Sequence, residues 1–348
     1  MSDPMLEQVR RAHEQVERVL ARHIPPVIDL LKRKMGQSTW RVLPALVLMA
    51  ASLSACSTFT PPPVRDPLAG LDSMRFIEHP SSPPAAVVRS DVDELPASKA
   101  RSNKSAYAMV IGIEQYRQKL PKADFAVHDA QTVTEYLTKV LGYPEENVVT
   151  LLNDRALKSD FEKYFEKWLG NNVEAGGTVF VYYSGHGAPD PKSGDAYLVP
   201  YDGDPSFIDQ TGYPLKRLYA ALGKLPAKRI IVVLDSCFSG AGGRSVIAKG
   251  MRPLVTKVEA ARSLPGNVAV MTAALGEQTS STYDEKGHGL FTYFLLKGIK
   301  SEDVAKPDGS IELADLYAYL KPQVERVARK QFNNEQSPQL VQALKGDR

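Results

Sequence analysis

The chain has 348 residues, of which 43% are hydrophobic, so it is long and apolar enough to bury a full core. Its formal net charge is only +3, and this excludes the strongly basic surface of a nucleic-acid-binding protein. It contains two cysteines, Cys56 and Cys237, which excludes a disulfide framework. We therefore predict one globular domain with extensions and no nucleic-acid partner.

The N-terminal part of the chain combines basic residues with a short apolar run. Residues 42–52 are apolar but too few to span a bilayer comfortably, and four basic residues precede them between positions 32 and 41. The sequence Leu-Ser-Ala-Cys that follows resembles the lipobox of bacterial lipoproteins, in which the cysteine is lipidated. We predict that residues 1–55 are an N-terminal extension with a lipoprotein-type signal peptide and that Cys56 carries the lipid. Met35 is an alternative start to Met1, because the segment before the apolar run is long for a signal.

The residues after Cys56 change in composition. Residues 56–103 are rich in Pro, Ser and Ala and contain few large apolar side chains, which is typical of an extended tether. Ser57, directly after the lipidated position, favours the outer membrane, whereas an aspartate there would favour the inner membrane. We therefore predict a lipid-anchored protein of the bacterial cell envelope, held at the outer membrane and facing the periplasm.

Strand-like and helix-like segments alternate from residue 104 to residue 335. Five apolar runs predict buried strands, and apolar residues at helical spacing predict helices between and after them. The strands are expected at residues 105–113, 148–152, 178–184, 229–235 and 267–274. Such alternation predicts an α/β fold with a mainly parallel central sheet of about six strands and helices on both faces. Residues 336–348 are assigned to a C-terminal tail.

Two of the predicted strands end in potentially reactive side chains, His186 and Cys237. The two residues are 51 positions apart (237 − 186), yet the ends of parallel strands meet at one edge of a sheet. A cysteine nucleophile needs a neighbouring base, which His186 can supply, and the backbone N–H groups of Gly187 and Cys237 can face a developing oxyanion. The alternative is a strand-end histidine with satisfied hydrogen bonds beside a small buried cysteine. The pair of motifs favours cysteine-type hydrolysis.

The two motifs resemble those of the caspase-like cysteine peptidases, which include caspases, metacaspases and their bacterial relatives. Ser-Gly-His-Gly at 184–187 matches the histidine motif, and Asp-Ser-Cys-Phe-Ser-Gly at 235–240 matches the nucleophile motif. The resemblance extends from about residue 104 to about residue 331. It implies a caspase-like fold and an endopeptidase in which Cys237 attacks a peptide carbonyl while His186 assists proton transfer. The reaction forms a thioester on Cys237, which water then hydrolyses.

The resemblance also implies a specificity. Caspases cut after aspartate, whereas metacaspases cut after Arg or Lys by means of acidic residues in the pocket. Asp235 and Asp129 match the two pocket acids of metacaspases, and Ser184 is assigned to the same substrate-binding site. Two carboxylates suit a guanidinium group, so we predict cleavage after Arg or Lys. The alternative for Asp129 is stabilisation of a helix terminus.

We expect no cofactor and no metal. Many metacaspases need calcium, and Asp195, Asp202 and Asp204 offer oxygen ligands. However, Arg244 replaces the aspartate that the family carries seven residues beyond the nucleophile, and this favours calcium independence.

The sequence also allows other functions. One is a catalytically silent caspase-like lipoprotein that binds partners, and another is a gingipain- or clostripain-like peptidase with the same dyad. A serine hydrolase is disfavoured, because neither Ser184 nor Ser239 lies in a Gly-x-Ser-x-Gly turn. His288 would be structural, and His128 is given no role.

Overall fold

The computed structural model describes residues 88–97, 100–190, 192–238, 264–275 and 278–342. The strands are β1 (Ala106–Gly112), β2 (Val148–Leu152), β3 (Thr178–Ser184), β4 (Gly187–Pro189), β5 (Ala196–Leu198), β6 (Tyr213–Pro214), β7 (Arg229–Asp235), β8 (Val268–Thr272), β9 (Thr282–Tyr283), β10 (His288–Gly289) and β11 (Gln339–Gln342). The helices are α1 (Ala126–Glu135), α2 (Lys158–Lys163), α3 (Leu169–Asn172), α4 (Ile208–Thr211), α5 (Leu215–Leu222), α6 (Leu290–Lys300) and α7 (Leu313–Phe332). Helix α1 continues in a π-helical turn, Tyr136–Val140, and a second such turn, Tyr164–Trp168, joins α2 to α3.

Six strands form the central sheet, in the order β11-β8-β7-β3-β1-β2. All neighbours in it are parallel except β11, which pairs antiparallel with β8. The five predicted strands all form, and the α/β prediction with a mainly parallel sheet is confirmed. Two small antiparallel sheets, β4-β5-β6 and β9-β10, extend beyond the strand ends.

Each face of the central sheet carries its own hydrophobic cluster. Because side chains alternate along a strand, Met109 and Ile111 of β1 belong to one cluster, and Ala108 and Val110 belong to the other. Apolar residues of α2, α3 and α5 cover the first face, and those of α1, α6 and α7 cover the second. Helices therefore lie on both faces, as predicted.

The sheet extends past residue 335, where the sequence analysis ends the domain. Its sixth strand is β11, which lies within residues 336–348, the segment that the sequence predicts to be a C-terminal tail. The sequence of β11 is Gln-Leu-Val-Gln, which is too short and too polar to predict a strand by itself. Its pairing with the buried strand β8 supplies the hydrogen bonds that make it a strand.

Part of the predicted tether packs on the domain. Val92 is completely buried, and its carbonyl oxygen accepts a hydrogen bond from Tyr136 Oη at 2.8 Å. One apolar residue among polar ones gives no periodic signal, so the sequence does not predict this contact.

Asp91 ties the same segment to helix α6. It accepts a hydrogen bond from Tyr293 Oη at 2.9 Å and forms an ion pair with Lys297. Burial disfavours the charged carboxylate, but the hydrogen bonds from Lys297 and Tyr293 and the charge of Lys297 outweigh it and lower the pKa of Asp91.

The predicted signal peptide, the lipidation site Cys56 and most of the predicted tether lie outside the described residues. Among the helices that the structure describes, none has the length and apolar character needed to cross a bilayer.

Candidate active site

The register of β3 and β7 brings His186 and Cys237 to the same edge of the sheet. Ser184 and Asp235 are paired residues at the ends of these parallel strands, and each reactive residue follows two positions later. Gly187 packs directly on the nucleophile segment, since a Cβ atom built on it would lie 2.5 Å from the Cys237 carbonyl oxygen. Parallel pairing of two buried strands thus joins the two motifs in space, as the sequence predicts.

Hydrogen bonds fix the orientation of the His186 imidazole. The side chain is completely buried, and its Nε2 lies 2.7 Å from the carbonyl oxygen of Pro121. Because a carbonyl oxygen only accepts, Nε2 must carry the proton, and Nδ1 is then the proton-accepting atom of the neutral ring. The backbone carbonyl of His186 accepts a hydrogen bond from Tyr183 Oη at 2.6 Å.

Tyr116 holds His186 in two ways. Its ring stacks on the imidazole with centroids 4.8 Å apart and an interplanar angle of 23°. Its phenolic oxygen also accepts the backbone N–H of His186 at 2.6 Å. The sequence analysis missed Tyr116, which lies in a loop after β1 where no periodic pattern marks it.

Cys237 is 1% exposed, and its thiol has a backbone donor. The N–H of Ser280 points at Sγ, with a nitrogen-to-sulfur distance of 2.6 Å. An N–H group aimed at sulfur stabilises negative charge on it, which is the charge that a cysteine nucleophile must carry. Sequence reasoning also missed Ser280, since it lies in the loop after β8 and acts through its backbone.

Asp235 is buried beside the nucleophile and accepts two hydroxyl hydrogen bonds. Ser280 Oγ donates to Oδ1 at 2.8 Å, and Thr292 Oγ1 donates to Oδ2 at 2.6 Å. Asp235 therefore holds the residue whose N–H contacts the thiol. Both oxygens of this predicted pocket acid are engaged within the protein.

Asp129, the second predicted pocket acid, is also completely buried. It accepts hydrogen bonds from His288 Nδ1 at 2.8 Å and from the Gly289 backbone N–H at 3.1 Å. The Ser184 hydroxyl donates to it at 3.5 Å, so the structure brings these two predicted substrate-binding residues together. Asp129 also lies in the first turn of α1, where a negative charge stabilises the helix.

The charge on Asp129 affects its histidine partner. Burial disfavours the imidazolium form of His288, but the hydrogen bond and charge of Asp129, together with those of Asp93, outweigh it and raise the pKa of His288. His288 lies in the two-residue strand β10, directly before α6.

A cavity of about 420 Å³ lies next to the thiol-binding loop. Residues 279–282 line it together with Lys122, Asp124, Phe332 and Asn334. Since Ser280 belongs both to this lining and to the thiol contact, the cavity adjoins the nucleophile. Its lining combines polar and charged side chains with the ring of Phe332.

The three acids considered for calcium have separate protein partners. Asp195 pairs with Lys216, Asp202 accepts the Lys158 backbone N–H, and Asp204 accepts the N–H of Ser206. Arg244 lies outside the described residues.

The sequence has recognisable relatives. The family model of the caspase domain matches residues 105–347. Metacaspase-1A of Aspergillus oryzae is 27% identical over 154 residues, which cover 38% of this chain and 34% of the relative. Metacaspase-1 of Eremothecium gossypii is 24% identical over 194 residues, which cover 50% of this chain and 42% of the relative. The chain thus spans less than half the length of these metacaspases.

Solved structures are similar at lower identity. Caspase-1 of Spodoptera frugiperda superposes with a TM-score of 0.47 at 14% identity, covering 74% of this chain and 95% of that one. A protein of Geobacter sulfurreducens superposes with a TM-score of 0.49 at 20% identity, covering 68% of this chain and 92% of that one. The family match spans well over half of the sequence and includes both strand ends with their reactive residues. The chain therefore belongs to the caspase-domain family.

Proposed function

We propose that this protein is a cysteine endopeptidase that cleaves peptide bonds after Arg or Lys through a thioester on Cys237. The observation that supports the proposal is the register of β3 and β7, which pairs Ser184 with Asp235, each two residues before His186 or Cys237. Its substrates are proteins or peptides, in keeping with the caspase-domain family.

In the proposed reaction, Sγ of Cys237 attacks the carbonyl carbon of the scissile bond while Nδ1 of His186 takes the thiol proton. The backbone N–H groups of Gly187 and Cys237 stabilise the negative oxygen of the tetrahedral intermediate. His186 then gives the proton to the leaving nitrogen, the C–N bond breaks, and a thioester remains. Water attacks the thioester carbonyl while His186 takes a proton from it, the C–S bond breaks, the product leaves with a new carboxyl group, and the proton returns to sulfur.

The specificity for basic residues is proposed to come from Asp129 and Asp235. Both are buried carboxylates near the strand ends. Asp235 accepts hydrogen bonds from two neutral hydroxyl groups, and Asp129 accepts hydrogen bonds from His288 and from the Gly289 backbone N–H. A guanidinium or ammonium group can replace the hydroxyl donors on Asp235 and adds a favourable charge interaction. We therefore expect recognition of the substrate to require rearrangement of Ser280 and Thr292.

The test is hydrolysis of fluorogenic peptides ending in Arg, Lys, Asp or Asn by the full-length chain and by its Cys237→Ala variant. We expect turnover of the Arg and Lys peptides by the native chain alone. Turnover only of the Asp or Asn peptides would refute the assignment of Asp129 and Asp235 to a pocket for basic residues, but it would still support the proposed peptidase activity. Silence on all four, together with failure of Cys237 to react with an alkylating probe, would favour a non-catalytic binding protein.

We further propose that the chain is tethered to the bacterial outer membrane through a lipid on Cys56. The Leu-Ser-Ala-Cys sequence at 53–56 and the apolar run before it support this proposal. Metabolic labelling with an alkyne fatty acid should label the native protein but not Cys56→Ser. Equal labelling of the two would refute the anchor.

A further inference from the structure

Three side chains from separate segments meet on the second face of the sheet. Nε2 of His128 and Nε2 of His288 each lie 3.1 Å from the same oxygen, Oδ1 of Asp93. The two imidazoles stack with centroids 4.4 Å apart and an interplanar angle of 20°. The three ligating atoms all lie within 4.8 Å of one another.

The other ring nitrogens determine where the protons are. Nδ1 of His128 lies 2.9 Å from the carbonyl oxygen of Gly287, and Nδ1 of His288 lies 2.8 Å from Oδ1 of Asp129. Both partner oxygens only accept, so both Nδ1 atoms must carry a proton. In neutral rings, both Nε2 atoms then present lone pairs.

Those lone pairs face a carboxylate oxygen that presents lone pairs as well. Two neutral imidazoles would therefore be repelled by Asp93 at 3.1 Å. A single imidazolium on His288 would donate to Asp93 but would leave the Nε2 lone pair of His128 facing the same carboxylate oxygen. Two imidazoliums would satisfy Asp93, but they would place two positive charges in rings stacked 4.4 Å apart, one of them fully buried. A metal cation accepts all of the lone pairs once the two stacked rings, whose planes are 20° apart, tilt so that both point at it.

We propose that Asp93, His128 and His288 bind a divalent cation of the zinc class. Neutral imidazole and carboxylate are ordinary zinc ligands, and a tetrahedral site separates its ligand atoms by about 3.3 Å. The two observed separations of 3.1 Å are close to that value. The Asp129 carboxylate and the Gly287 carbonyl hold the outer ring nitrogens, as the partners of metal-bound histidines commonly do.

The location gives the cation a structural role. Asp93 belongs to the segment before β1, His128 to α1 and His288 to β10, so a bound ion clamps that segment onto the domain. Asp93 and His128 are partly exposed, with side-chain exposures of 15% and 30%, which lets an ion enter from solvent. Through His288, the ion also fixes the orientation of Asp129.

The test is zinc binding by the full-length Cys56→Ser/Cys237→Ala chain, in which no thiol competes. Equilibrium dialysis and competition with a chromogenic chelator measure stoichiometry and Kd, and Co²⁺ substitution reports coordination by its visible absorption. We expect His128→Ala to abolish one equivalent of bound zinc, weakening that site at least about 100-fold, and Asp129→Asn to weaken it about 10- to 100-fold. His186→Ala is the matched control and should keep that equivalent.

Asp93→Asn is the second variant, because it is nearly isosteric and partly exposed, and it should also weaken the site. A melting temperature measured with and without zinc checks each fold and should rise only in chains that keep the cluster. Zinc binding that neither His128→Ala nor Asp93→Asn reduces would overturn the proposal, as would the absence of bound zinc in the parent chain. Every variant in this experiment lacks Cys237 and is measured by zinc binding, so its outcome does not depend on the result of the peptidase test.

Discussion

The contact between Gly187 and the nucleophile segment gives the sharpest prediction. Replacing Gly187 by alanine adds a Cβ atom that would lie 2.5 Å from the Cys237 carbonyl oxygen and 2.6 Å from a ring carbon of Phe238. Ordinary contact begins at 3.4 Å, so the neighbouring backbone must move by about 0.9 Å (3.4 − 2.5). The variant keeps the N–H that is assigned to the oxyanion and therefore tests position alone.

The displacement has two expected consequences. Overpacking of a tight contact costs about 1–3 kcal/mol of stability. A misplacement of about 1 Å between reacting groups costs about 100-fold in rate. We therefore expect Gly187→Ala to fold with a lower melting temperature and to lose about 100-fold in kcat/KM on the best basic peptide.

The assay is initial-rate hydrolysis together with urea unfolding of the same preparations. Gly170→Ala is the control, because a Cβ atom there meets nothing within 4 Å and the residue lies exposed in α3. Alanine in a helix is favoured over glycine by about 0.5–1 kcal/mol, so this variant should be fully active and no less stable. Native activity and native stability in Gly187→Ala would refute the packing argument, whereas lost stability with native activity would refute only its link to catalysis.

Three further outcomes are expected. Tyr116→Phe removes the acceptor for the His186 backbone N–H but keeps the stacked ring. We expect kcat to fall about 10-fold with little change in KM, because the histidine loses one hydrogen bond that holds it. An unchanged kcat would show that the Tyr116 hydroxyl does not support His186. Thr292→Val leaves a buried oxygen of Asp235 without its hydroxyl donor and should cost about 1–3 kcal/mol in urea unfolding, which an unaltered midpoint would contradict. Asp91→Asn should lower stability at pH 7. Because the pKa of Asp91 is lowered in the fold, the difference from the native chain should shrink as the pH falls through about 4 and be lost only below the lowered pKa of the folded chain; a difference that stays constant from about pH 7 to about pH 2 would contradict this.

Much of the fold follows from local patterns. Strands β1, β3 and β7 are each seven residues long with a continuous apolar run inside them, and a parallel sheet covered on both faces buries most of their residues. Local patterns do not predict β11 or the packing of the segment around Val92, because both depend on contacts with partners that are far away in the sequence. Single apolar residues and four-residue strands carry too little periodicity to be recognised.

The residues of the candidate site likewise divide into those that the sequence predicts and those that it does not. His186 and Cys237 are recognisable because each follows a buried strand, and parallel pairing makes the ends of such strands neighbours. Tyr116 contacts His186 through its ring and its phenolic oxygen, and Ser280 contacts the thiol through its backbone N–H. Both residues lie in loops, where no sequence pattern marks them. The same holds for the His128 and His288 cluster, whose third member lies in a segment that the composition assigns to a tether.

The sequence by itself predicted the layered α/β fold, which the structure confirms, and indicated His186 and Cys237 as the candidate reacting pair, because both predictions depend on strand patterns and on chemistry that residue types carry. Only the tertiary structure decided which nitrogen of His186 holds its proton, what contacts the thiol, and that Asp129 and Asp235 are buried with protein donors. Those properties depend on distances between groups on separate segments, and packing of the whole chain sets such distances.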